Sequence, residues 1–362
     1  MKHHVLLLFF LSHSLWARSP FRTPDPTTPI VTARWKGQKQ GKTLINRYFR
    51  QHPLFMFGTK DILEDLIPDT ISYANDPTQS VQKAELSVII NNGITEIKNR
   101  KWKLRRKKNL TDFVILQDKN FSYRNLCGLI VLKFKDYPFV AKVFMERPDT
   151  FLEYFIKGFE PIFFFYMTGG VNRHISGLTR AKNLKLMKKE ISYLEPWNQI
   201  IEFPRKWYWL PENNQEIELI GENIIQNKTI TTQFPSIYVI IADAVDTKNQ
   251  IDIPTAKRKK IVMQFTNDVY TYLDPHFDNF IFHKDPTGRQ PYKIIIVDTE
   301  HFPSITGFEK AKYYKNHHNW YINLANKCLG DIYLKTKYDL QLARTSKSPL
   351  CLDDPIFTLK EH

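Results

Sequence analysis

Between Val269 and Phe302 the chain carries two carboxylates and a carboxamide at close spacing. Asp274 lies five residues before Asn279, and Asp298 lies nineteen residues after it. Oxygen donors of this kind suit a hard cation such as Mg²⁺. Asp and Asn also hydrogen-bond to their own backbone at turns, so Asp274, Asp278 and Asn279 taken singly are equally readable as turn residues. A further reactive group stands far upstream. Lys142 sits between Ala141 and Val143 in the run FVAKVFM, where an ammonium is costly to bury unless it meets an anion. Its plainer role is an edge-strand lysine that reaches out to water.

These groups need elements to position them. Phe280–Phe282 and Lys293–Val297 are short apolar runs separated by Asp285-Pro286-Thr287-Gly288, a hairpin pattern. Antiparallel strands fold back on each other, so Asn279 and Asp298 are expected to meet at one end of the hairpin. Around Lys142 the pattern is of closely spaced strands: Phe113–Gln117, Gly128–Phe134 and Phe139–Met145, the last two joined by a turn at Asp136-Tyr137. Helices are predicted over Asp149–Lys157 and Leu178–Leu194, where Leu184, Met187, Ile191 and Leu194 recur at helical spacing. Strands are predicted at Ile200–Leu210 and Ser236–Ala242, a helix at Thr255–Tyr270, and a mostly helical stretch over residues 308–343. Nearer the N-terminus, Ile62–Ile67 reads as a short helix stopped by Pro68, and Leu86–Ile90 as a strand followed by an Asn-Asn-Gly turn. Residues 32–43, TARWKGQKQGKT, invite comparison with a phosphate-binding loop and fail it. Gly37 and Gly41 are separated by three residues rather than four, and no apolar strand leads in.

With 362 residues, of which 42% are hydrophobic and 14% aromatic, the chain can bury a sizeable core and is not a disordered protein. The stretch MKHHVLLLFFLSHSLWA, residues 1–17, has the layout of a secretory signal peptide, which predicts an exported protein. Arg18–Val31 then reads as a Pro- and Thr-rich linker. The formal net charge of +15 favours acidic partners. Its densest source is Lys98–Lys108, where eight of eleven residues are basic around Trp102: either a surface for nucleic acid or anionic lipid, or a solvated charge run. Cys127, Cys328 and Cys351 are too far apart for a zinc site or a dense disulfide framework.

In chain order the residues give a strand lysine, a helix, a strand, a strand leading to a polar crossover, a helix, Asp-x-x-x-x-Asn and a strand-borne Asp. This order resembles the protein-kinase-like superfamily, in its aminoglycoside- and choline-phosphotransferase branch more than in the protein kinases. The matching residues are Val140-Ala141-Lys142-Val143, Asp274-Pro275-His276-Phe277-Asp278-Asn279 and Val297-Asp298-Thr299-Glu300. The resemblance implies an α+β, bilobal fold: an antiparallel-sheet lobe over residues 113–242 and a mainly helical lobe over 243–362, after an N-terminal extension over 18–112. It implies ATP and Mg²⁺ as cofactors, with Lys142 on the nucleotide phosphates, Asn279 and Asp298 on the metal, and Asp274 as the base for a hydroxyl acceptor. His276 takes a supporting role. The stretch Tyr238–Asp246 becomes a hinge that addresses the adenine near Ala242. Either Glu153 or Glu190 pairs with Lys142, with Glu190 preferred because its helix directly precedes Ile200–Leu210. The chain departs from the pattern in three places: only Gly128 is available for a glycine-rich loop before Lys142, Tyr272-Leu273 stands where the family has His-Arg, and nothing resembling the protein kinases' Ala-Pro-Glu follows Asp298. The expected function is an exported phosphotransferase acting on a small molecule or protein hydroxyl. The competing expectations are a kinase-like binding protein without turnover and a basic binder of nucleic acid or anionic surfaces.

Overall fold

The computed structural model describes residues 30–45, 55, 57–99, 109–152, 171–223, 227–268 and 279–300. The chain opens with strands β1 (Ile30–Trp35) and β2 (Gly41–Ile45), a single helical turn α1 (Lys60–Leu63), short strands β3 (Thr70–Ser72) and β4 (Ser80–Gln82), and helix α2 (Lys83–Asn99). Three strands follow, β5 (Phe113–Ser122), β6 (Cys127–Phe134) and β7 (Phe139–Met145), and then helices α3 (Pro148–Phe151), α4 (Val171–Leu178), α5 (Arg180–Ile191) and α6 (Trp197–Ile200). Strands β8 (Ile201–Glu202), β9 (Lys206–Trp209), β10 (Glu216–Asn223), β11 (Lys228–Pro235) and β12 (Ile237–Asp243) come next. Helix α7 (Thr255–Asp268) and the hairpin β13 (Phe280–His283) and β14 (Lys293–Ile296) complete the described chain. The fold is α+β. Among the described residues no helix is long and apolar enough to cross a membrane.

The principal sheet has five antiparallel strands in the order β5-β6-β7-β12-β9. Successive side chains of a strand point to opposite faces, and residues paired across antiparallel strands share a face. Val131, Lys142, Ile240 and Tyr208 therefore line one face, and Ile130, Val143, Val239 and Trp209 the other. Each face is covered. On the Lys142 face Phe144, Tyr238 and Ile240 pack against Ile175, Leu178 and Ala181 of α4 and α5. On the opposite face Ile130, Leu132, Ala141 and Val143 pack with Leu86, Ile90, Ile94 and Ile97 of α2.

The prediction of a strand at Leu86–Ile90 with an Asn-Asn-Gly turn is corrected by this second layer. Leu86, Ile90, Gly93, Ile94 and Ile97 are the buried positions of one long helix, while Asn91 and Asn92 lie on its exposed side. Gly93 serves close packing rather than a turn, since a Cβ there would fall 2.5 Å from the Phe113 ring. The helix predicted over Leu178–Leu194 is α5, and a further helix, α4, precedes it across Thr179. The predicted strand Ile200–Leu210 divides. Pro204, which has no N–H for a ladder, lies between β8, paired in parallel with β14, and β9, paired with β12. The chain thus changes sheets at Pro204 and delivers Lys206 to the principal sheet. Beyond it, the Arg205 guanidinium grips both oxygens of Asp243 at 2.7 and 2.8 Å, joining the start of β9 to the end of β12.

A second sheet, in the order β11-β10-β1-β2, joins the N-terminal strands to a hairpin inserted between β9 and β12. The linker expected over Arg18–Val31 therefore ends before Ile30, and Val31 is fully buried in β1. Residues 32–43 form the β1–β2 hairpin, turning at Gly37 with φ of +82°, which accounts for glycine at that position. Residues 1–29, 153–170 and 301–362 lie outside the described residues, and with them the signal peptide, Glu153, most of the helix expected at Asp149–Lys157 and the helical stretch over 308–343. Residues 100–108, the bulk of the basic run, do so too.

Two tests follow from the layer on the Lys142 face. A Cβ at Gly177 would sit 1.9 Å from the Tyr238 hydroxyl and 2.8 Å from the Phe144 ring, both fully buried. Alanine normally gains about 1 kcal/mol over glycine within a helix, but here overpacking dominates. Gly177→Ala should lower the unfolding free energy by roughly 1–3 kcal/mol in urea titration. His174, 1% exposed, donates its Nε2–H to the Pro235 carbonyl at 2.6 Å, and burial pushes its pKa down from 6.5 to about 4. The unfolded chain therefore gains this proton first as pH falls. Stability should drop by about 3 kcal/mol between pH 6.5 and 4 on this account, and His174→Gln should flatten that part of the stability–pH curve.

Candidate functional site

The hairpin β13–β14 is held by its turn, where the Asp285 carboxylate accepts the N–H groups of Thr287 and Gln290 and Gly288 adopts φ of +67°. Its open end closes through a hydrogen bond from Val297 N–H to the Asn279 carbonyl at 3.0 Å. The backbone juxtaposition of Asn279 with the Asp298 segment is thus as the residue pattern predicts. Asp274, Asp278 and His276 lie outside the described residues.

From this end Asp298 reaches the principal sheet. Lys142 Nζ donates to Asp298 Oδ2 at 3.0 Å, so the strand lysine meets its anion across 156 residues of sequence. The same oxygen accepts from Arg180 Nη1 at 2.6 Å, and Arg180 Nη2 donates to Glu300 Oε2 at 2.9 Å. Arg180 begins α5 and is 1% exposed, with its guanidinium carbon 5.7 Å from the centre of the Phe144 ring. Lys206 projects from β9 on the Lys142 face, 7% exposed, and donates to Thr299 Oγ1 at 2.7 Å. Thr299 in turn donates to the Arg180 carbonyl at 2.7 Å, and its own carbonyl accepts Asn183 Nδ2 at 3.1 Å. Residues 298–300 are thereby fastened to the first turn of α5. Tyr208 fastens the helix junction to the sheet through its hydroxyl, which donates to the Gly177 carbonyl at 2.9 Å.

Three side-chain cations and two carboxylates share this small volume, and their titration reflects it. Burial raises the Asp298 carboxyl, but Arg180, Lys142 and Lys206 outweigh it and hold the group far below the usual carboxylate range. Burial opposes the charge of Arg180 as well, and Asp298 and Glu300 restore it. Burial and Arg180 lower Lys142 despite Asp298. Lys206 is lowered well below the ordinary lysine value by burial and by Lys142. An arrangement with cations in excess is suited to receiving an anion.

No family model, no curated protein and no solved structure matches this chain.

Two expectations about individual residues are corrected. Glu190 is exposed at the far end of α5, among the described residues no ion pair involves it, and the carboxylate on Lys142 is Asp298. The helix instead presents Arg180 from its first turn. Ala242 is paired on both sides, with Val140 and Lys206, and the next two N–H groups go to the Arg205 and Pro138 carbonyls at 3.2 and 2.8 Å. Those backbone donors are committed to the sheet and its margins rather than presented to a base. For Mg²⁺ the fit is also poor: Asp298 Oδ2 is shared by two cations, Asp298 Oδ1 accepts Glu300 N–H at 3.2 Å, and among the described residues no group of three His, Cys, Asp or Glu forms a metal cluster. Arg180, Lys206, Thr299 and Glu300 escaped the sequence reading. Only Lys206 carried a usable signal, since it precedes Trp207-Tyr208-Trp209 in a strand just as Lys142 stands among apolar neighbours.

Removing the Asp298 carboxylate leaves Lys142 without its anion and Arg180 with Glu300 alone, whereas the pair Arg147–Asp149 is exposed. Asp298→Asn should therefore lower the unfolding free energy by about 3–5 kcal/mol, against less than about 1 kcal/mol for Asp149→Asn, both read from urea denaturation.

Proposed function

We propose that this chain is a kinase-like phosphotransferase that takes ATP at the Lys142–Asp298 cluster and passes a phosphoryl group to a hydroxyl of a small molecule or protein. The observation that carries the reading is the Lys142–Asp298 ion pair, which brings the strand lysine and the hairpin aspartate into one site. The sheet order β5-β6-β7-β12-β9 supports it: the lysine strand is central, and α5 lies in sequence between that strand and β9, as the resemblance implies. Phosphoryl transfer depends on positioning and charge neutralisation more than on covalent chemistry by the protein, and cationic side chains can neutralise a phosphate oxygen directly. Asp274, just before the hairpin, is the residue assigned to accept the acceptor's proton.

A second reading, a nucleotide-binding protein without turnover, is favoured by Arg180, which holds Asp298 where an active kinase-like site needs that carboxylate for metal. The reading of the basic run as a nucleic-acid or anionic-surface site has no such support, because of Lys98–Lys108 only Lys98 and Asn99 lie within the described residues.

Calorimetric titration of the full chain with ATP tests the binding step. Lys142→Ala removes a charge-assisted bond and should weaken binding by about tenfold or more, while Lys133→Ala, on an exposed position of β6, should leave it unchanged. Release of ADP in the presence of a hydroxyl acceptor, lost in Asp274→Asn with ATP binding retained, would establish transfer. ATP binding without ADP release favours the second reading, and absence of ATP binding rejects both.

A further inference from the structure

We infer that the cluster binds the phosphate chain of its nucleotide without needing a divalent cation, because Arg180 holds the seat at Asp298 and Glu300 that such a cation would take. This holds only if the cleft takes a nucleotide, as proposed above.

Mg²⁺ demands a near-octahedral set of oxygen ligands and releases its water reluctantly. Among the described residues, the two carboxylates beside Lys142 that could supply such oxygens are already bridged by one guanidinium, at 2.6 Å to Asp298 and 2.9 Å to Glu300. Arg180 cannot give up its charge at any ordinary pH, and at 1% exposure it has no water to retreat to. A metal ion would have to displace it from both carboxylates, leaving a buried cation without an anion. Of the remaining oxygens on these two carboxylates, Asp298 Oδ1 accepts the Glu300 N–H at 3.2 Å and Glu300 Oε1 is buried, so a divalent ion there would crowd Lys142, Arg180 and Lys206.

An anionic chain meets the opposite situation. Lys142 and Asp298 each keep 16% side-chain exposure, while Arg180 and Glu300 keep 1% and 4%, so the cluster opens to solvent on the Lys142 side. Among the described residues the Lys206 ammonium has one hydrogen-bond partner for its three N–H groups, the Thr299 hydroxyl. Lys142 at the open side and Lys206 beside it are phosphate-binding donors held in place beforehand, and their positive charge does the neutralising that a metal ion ordinarily supplies.

The test compares ATP binding to the full chain by calorimetry in excess EDTA and in excess Mg²⁺, with Mg²⁺ alone as a third titrant. The expected result is an affinity in EDTA within about tenfold of that in Mg²⁺, and no binding of Mg²⁺ alone. Arg180→Gln should convert the protein to metal-dependent binding by opening Asp298, and Arg180→Lys, which keeps the cation should the first variant fail to fold, should retain binding in EDTA. Binding weaker in EDTA by about tenfold or more in the wild type, or binding of Mg²⁺ alone, overturns the inference and leaves nucleotide binding standing. No ATP binding in either buffer overturns both.

Discussion

A buried guanidinium has to be matched by anions, and the Arg180 side chain at the head of α5 imposes that requirement on this fold. Its partners, Asp298 and Glu300, come from the segment that leaves the β13–β14 hairpin, so satisfying the charge means docking the hairpin onto the principal sheet and helix. The neighbouring bonds through Thr299 and Asn183 serve the same docking with neutral groups. Without the two carboxylates, the Lys142 face would hold three cations under an apolar helix layer, a state burial strongly disfavours.

The sheet tolerates this polar cluster because apolar layers cover both of its faces. One face of the five strands is sealed by α4 and α5 around Phe144, Tyr208 and Tyr238, and the other by α2. Gly177 allows the first layer to approach within contact of Tyr238, and Gly93 allows the second to approach Phe113. Three of the polar groups inside are tied to their surroundings: Tyr208 to Gly177, His174 to Pro235, Lys206 to Thr299. A cluster of charges at the border between such layers is positioned by packing that has nothing to do with its own chemistry.

That arrangement also separates the order of the elements from the electrostatics of the site they build. In the proposed reading the lysine and aspartate keep their places, while the helix contributes a cation in place of the expected carboxylate. The cation comes from Arg180 in the first turn of α5, ten residues before Glu190 on the same helix.

Much of the local structure was written in the residues. The alternation in FVAKVFM defines β7 to the residue, the Asp285–Gly288 turn sets the hairpin, and the isolated charge of Lys142 in that strand called for an anion. Hairpin geometry then placed Asp298 beside Asn279, because antiparallel pairing is a local rule. Other features depended on contacts that no window of sequence contains. Leu86–Ile90 carries an apolar run that suits a strand or a helix, and only the sheet face beneath it selected the helix. Glu190 and Arg180 lie on the same helix, and which of them meets the site depends on how α5 is anchored by Tyr208 and Thr299. The sequence by itself located β6, β7, β12 and the β13–β14 hairpin and marked Lys142 as a strand cation that calls for an anion if buried. The tertiary structure alone decided that the carboxylate is Asp298 and that Arg180 shares it, since charge pairing in a buried site is set by distance across the fold and not by separation along the chain.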